Sequence, residues 1–158
     1  MKSFFASQAA YIFLRVLIGG LFVYAGVLKL SNPYDFAITI NMYGLVTWRM
    51  STAISYIIPC IEIMSGLGLI LNVRGALALV VAQLLGFMAV LLYALHIGLD
   101  ADCGCFGTPR TTDSVSVGPL EAIIRDVGML TACATMYWQR KTGSHTPRSV
   151  VHKILRKA

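Results

Sequence analysis

The stretch Gly75–Leu99, "GALALVVAQLLGFMAVLLYALHIGL", carries no charged residue. A membrane-crossing helix needs about 20 consecutive, mostly apolar residues, and this run is long enough. Two further windows nearly match it. Ser3 to Leu28 holds only Arg15, and Met50 to Val73 holds only Glu62. A fourth apolar run, Pro119 to Gln139, holds Glu121, Arg125 and Asp126. The chain has 158 residues, of which 57% are hydrophobic and 13% charged. A soluble domain carries about a quarter charged residues, so there is too little polar surface here to cover a globule. The expectation is an all-α, polytopic membrane four-helix bundle. The spans use up so much chain that no soluble catalytic domain fits, and work on a large soluble substrate calls for a partner protein. Ala25-Gly26 resembles a signal-peptide cleavage site. Arg15 lies too late for a leader, however, and the first window reads as a retained helix.

The basic residues set the expected orientation. Lys2, Arg15, Arg74, Arg140, Lys141, Arg148, Lys153, Arg156 and Lys157 fall on one face of a four-span chain. Lys29, Arg49 and Arg110 share the other face with Asp35, Asp100, Asp102 and Asp113. Both termini are therefore expected in the cytoplasm. The net charge of +6 reports a membrane-facing tail, not a nucleic-acid partner. Within that tail, Val150, Val151, Ile154 and Leu155 are spaced to lie on the inner leaflet.

Between the first two spans, Asn32-Pro33 reads as a helix start, with Asn as cap and Pro in the first turn. Phe36, Ile40 and Tyr43 share one face, and Gly44 is the stop. This predicts a short outer interfacial helix with Trp48 in the aromatic belt. Ala78, Ala82 and Gly86, at four-residue steps, predict close helix packing. No strand pattern and no solenoid repeat is present.

Ionisable residues within spans cost about 2.5–3.5 kcal/mol each on insertion scales. Glu62, Arg125 and Asp126 are therefore expected to form one polar cluster in the outer half of the bundle. Adjacent helical residues diverge by about 100°. On that basis Arg125 is expected to reach Glu62, and Asp126 to meet Lys29. Such a cluster fixes helix register or lines a polar cavity for protons or a quinone head group.

The loop after the third span reads "DADCGCFGTPR", Asp100 to Arg110. A turn at Gly104 brings Cys103 and Cys105 within the 4.4–6.8 Å Cα separation a disulfide needs. A small strained ring is oxidising and labile, which suits exchange. Three readings fit the pair: redox exchange by a thiol-disulfide oxidoreductase, a structural role, or a soft-metal site in a metal-binding or metal-transport protein, with His96 or Asp102 as further ligands. A non-enzymatic anchor of a redox complex is a further reading of the chain. Cys60 and Cys133 differ in depth by roughly 7 Å of helix rise, so they read as small apolar residues.

Taken in order, these pieces resemble the MauE branch of the DoxX-like membrane proteins. The match rests on "LRVLIGGLFVYAGVLKLSNPYDF" with Arg15, Gly26, Lys29 and Pro33, and on "PCIEIMSGLGLIL" with Pro59, Glu62 and Gly66. "CGCFG" and the Arg125-Asp126 pair complete it. The resemblance covers about Arg15 to Trp138. It implies a membrane bundle, here residues 1–139; the basic tail, residues 140–158, lies outside the resemblance and is expected in the cytoplasm from its charge. It also implies a bacterial inner-membrane location and a periplasmic thioredoxin-like partner. MauE proteins are linked to maturation of methylamine dehydrogenase, whose small subunit is rich in disulfides.

Overall fold

The computed structural model describes residues 8–98 and 119–142. These form five helices: α1 (Gln8–Ser31), α2 (Pro33–Met42), α3 (Trp48–Ile70), α4 (Ala76–His96) and α5 (Pro119–Thr142). Three of them, α1, α3 and α4, are long and apolar enough to cross a membrane. The fourth long helix, α5, is 24 residues, about 36 Å at 1.5 Å per residue, and carries Arg125 and Asp126 within it. The short helix α2 starts where the Asn-Pro signal places it, with Asn32 as N-cap and Pro33 in the first turn. The chain leaves it through Gly44, whose φ of +67° favours a residue without a Cβ. Trp48 is exposed and meets Tyr34 edge-on, ring centroids 5.9 Å apart.

The outward faces are apolar: Phe13, Tyr24, Met64, Leu85 and Ile124 are all exposed. On α3 the inward face is the polar one. Ser51, Ser55, Pro59, Glu62, Ser65 and Gly66 are buried there. This inversion follows from lipid as solvent, since only the bundle interior supplies hydrogen-bond partners. Ser65 uses it, donating to Gln83 Oε1 on α4 at 2.7 Å. An apolar core of Ile18, Phe22, Leu69, Leu77, Val80, Leu84, Cys133 and Met136 joins α1, α3, α4 and α5.

Glycine sets the α1–α3 contact. A Cβ added at Gly66 would lie 2.7 Å from the Gly19 carbonyl oxygen, and one at Gly19 would lie 2.7 Å from that of Gly66. A Cβ at Gly26 would meet the Pro59 carbonyl oxygen at 2.9 Å. The two backbones thus touch, running antiparallel, and this close approach is what small residues permit in lipid. The expected packing role of Ala78, Ala82 and Gly86 is corrected. All three are exposed, and a Cβ on Gly86 would meet nothing within 4 Å. The buried face of α4 is Ala76, Leu77, Val80, Leu84, Leu91 and Ala94. Spacing marks a smooth stripe on a helix, but only the bundle decides which stripe faces inward.

Candidate functional site

The antiparallel α1–α3 contact sets Lys29, in the last turn of α1, against Glu62, fourteen residues into α3. The Lys29 ammonium donates to Glu62 Oε1, and both side chains are 2% exposed. The same ammonium lies 5.4 Å from the Phe36 ring centroid and 4.8 Å from that of Phe87. A buried cation is thus enclosed by one carboxylate and two aromatic faces, which attract it through their quadrupoles. Helices α2 and α4 supply those rings, so the pair ties four of the five helices together at one point.

On α5, Arg125 donates to Asp126 Oδ1 through Nε (3.3 Å) and a terminal nitrogen (3.2 Å). Asp126 is buried while Arg125 is 29% exposed. The expected partners are therefore exchanged. Glu62 pairs with Lys29 rather than Arg125, and Asp126 pairs with its neighbour rather than Lys29. The reason is reach. Adjacent Cβ atoms do diverge, but the long Arg125 side chain folds back to the next carboxylate. Lys29, meanwhile, is carried to Glu62 by the glycine contact beneath it.

The two pairs still share one place. Lys29, Glu62, Arg125 and Asp126 all line a small cavity of about 30 Å³, with Phe22, Leu84, Phe87 and Met129 among its other walls. Glu62 Oε2 and Asp126 Oδ2 are buried without a hydrogen-bond partner among the described residues. Two carboxylate oxygens are thus left to a space large enough for one water-sized hydrogen-bond donor. Lys29 also lines a second, larger cavity of about 240 Å³ beneath α2. Its walls include Phe36, Ile40, Tyr43, Ile58, Phe87 and Val90, and they are almost wholly apolar. The face Phe36–Ile40–Tyr43 expected on the short helix is the wall of this cavity.

Cys103 and Cys105 lie outside the described residues, as do Asp100, Asp102, Arg110 and the basic tail beyond Thr142. His96 is the last residue of α4 and is exposed. Among the described residues no group of three His, Cys, Asp or Glu is placed to hold a metal. Cys60 and Cys133 are free: Cys60 faces outward from α3, and Cys133 is buried in the core. Cys133 is the small apolar residue the sequence suggests.

Sequence reasoning missed a second polar group, at the opposite end. Arg140 donates to the Tyr11 hydroxyl (2.8 Å) and to Asn72 Oδ1 (3.1 Å), and Tyr11 itself donates to Asn72 Oδ1 (3.1 Å). Asn72 sits in the α3–α4 turn at φ +57°, a conformation its short polar side chain tolerates. An Asn directly after an apolar run was the available signal.

Comparison with curated proteins and with solved structures gives no match. Residues 7–139 match the family described as methylamine utilisation protein MauE, a span that includes all five helices but for the last three residues of α5. The ordered motifs around Lys29, Glu62 and Arg125-Asp126 fall within that span, and the chain belongs to the MauE family of methylamine utilisation proteins.

Proposed function

We propose that this protein is a membrane thiol-disulfide exchange protein that serves methylamine utilisation by oxidising a thioredoxin-like partner on the periplasmic side. Cys103 and Cys105 are the exchanging pair. The observation that carries the reading is positional. The CGC segment joins the His96 end of α4 to the Pro119 end of α5, and the buried charge cluster and both cavities lie toward that same end. In this reading both termini are cytoplasmic and the protein resides in a bacterial inner membrane.

The step is a thiolate attack. A partner thiolate attacks one sulfur of the Cys103–Cys105 disulfide, and the other leaves as thiolate. The partner's second thiolate then attacks its own sulfur in the mixed disulfide. The partner departs with a disulfide, and the loop is left as a dithiol. Reoxidation passes two electrons and two protons from that dithiol to a quinone, giving a hydroquinone and restoring the disulfide. The cavity beneath α2 supports this second half: its apolar walls suit a ring, and Lys29 offers a hydrogen-bond donor to a ring oxygen.

Trapping tests the first half. Cys103→Ser or Cys105→Ser accumulates a reducible adduct with a thioredoxin-like protein; if neither variant does so, exchange is refuted. Thiol titration of purified protein tests the second. Added quinone should consume two thiols per chain, and Val90→Trp, which fills the cavity, should slow that loss without abolishing the trapped adduct.

A further inference from the structure

At the Tyr11 end, two guanidinium groups approach one ring. Arg15 lies 5.8 Å from the Tyr11 centroid and Arg140 lies 5.9 Å from it. Their hydrogen bonding differs. Arg140 donates to Tyr11 and Asn72. The buried Nε of Arg15 has no acceptor among the described residues, and its side chain is only half-buried. Among the described residues no carboxylate pairs with it. All seven acidic residues fall between Asp35 and Asp126, so neither the segment before α1 nor the chain after α5 contains one. The α3–α4 turn adds Arg74 and no acid. Both cations stand against the Tyr11 ring, and an anion at Arg15 would offset positive charge that no described carboxylate balances.

The surroundings state what kind of anion fits. Ile12, Phe13, Val16 and Leu17 flank Arg15 on α1 and are all exposed. They belong to the apolar surface that hydrocarbon covers. The guanidinium fork matches two oxygens of a phosphate, and such charge-assisted pairs are about twice as strong as neutral hydrogen bonds. Phosphate beside hydrocarbon is the chemistry of a phospholipid, and a basic pocket between helices at the cytoplasmic leaflet is where anionic head groups bind.

We infer that Arg15, stacked on Tyr11, binds the phosphate of an anionic phospholipid whose chains lie along the exposed apolar surface of α1. Arg140 holds the ring in place and adds positive charge. The inference is independent of the thiol chemistry, which concerns the other end of the bundle.

The test uses the full chain, purified and delipidated, then returned to nanodiscs of phosphatidylcholine doped with spin-labelled phosphatidylglycerol or spin-labelled phosphatidylcholine. The immobilised fraction reports binding. The wild type should prefer phosphatidylglycerol by about fivefold, the ratio expected for one basic residue at an anionic surface. Arg15→Gln should bring that preference close to parity, and Arg15→Lys should keep part of it. Arg49→Gln, an exposed residue at the opposite end, should keep all of it. Circular dichroism of each variant confirms that the helices persist, and Arg15→Lys carries the test if Arg15→Gln does not fold. Equal immobilisation of the two lipids, or an unchanged preference in both Arg15 variants, overturns the inference. Complete displacement of the lipid by millimolar inorganic phosphate overturns the lipid assignment, since the chains would then contribute nothing.

Discussion

The two polar groups of this bundle solve the same problem differently. At the Tyr11 end one guanidinium meets two neutral oxygens and ties α1, the α3–α4 turn and α5 together. At the Lys29 end two cations meet two carboxylates, and one oxygen of each carboxylate has no hydrogen-bond partner among the described residues. Two cavities adjoin the second group. One guanidinium held by two neutral oxygens draws three segments together without a partner carboxylate among the described residues. A double ion pair is costly to bury, and replacing such pairs by apolar residues is often neutral or stabilising. The comparison therefore separates a joint that holds the bundle closed from a cluster whose charges are more than stability requires.

The largest expected effect is on the charged end. Glu62→Ala leaves the Lys29 ammonium buried without its carboxylate and should lower stability by about 3–5 kcal/mol. Replacing both partners, Lys29→Met with Glu62→Leu, should restore most of that loss, as read from unfolding in detergent. If the double variant is as unstable as the single one, the pair is structural and the contrast between the two ends fails.

The α1–α3 contact comes next. Gly66→Ala sets a methyl against the Gly19 carbonyl oxygen and should cost about 1–3 kcal/mol by overpacking. Gly86→Ala, on the exposed stripe of α4, should stay within about 0.5 kcal/mol. Equal losses in thermal unfolding would mean that the exposed stripe is a packing surface after all.

Arg140→Ala removes two hydrogen bonds from the Arg140–Tyr11–Asn72 clamp and should cost about 1–3 kcal/mol. The same variant should leave trapping at Cys103 and Cys105 unchanged, because the clamp lies at the other end. The last comparison sets two arginines side by side, and the smallest effect belongs to Arg15→Ala. Arg125→Ala strands a buried Asp126 and should destabilise more than Arg15→Ala, whose side chain is half-buried and pairs with no carboxylate among the described residues. Denaturation in mixed micelles measures that difference.

Much of this was legible in the sequence because lipid imposes simple demands. Uncharged runs of sufficient length announced the spans, and Asn32-Pro33 announced α2, since a cap and a fixed φ act within a few residues. The same cost argument placed Lys29, Glu62, Arg125 and Asp126 in one neighbourhood, because ionisable groups in hydrocarbon must meet. Which charge meets which was decided only by the fold. That choice depends on side-chain reach and on the rotation of α1 against α3, which Gly19, Gly26 and Gly66 fix by letting two backbones touch. The Arg140–Tyr11–Asn72 clamp was invisible for the same reason. Its members lie 61 and 68 residues from Asn72 in the chain, and no local pattern links residues whose only relation is that packed helices end at the same level.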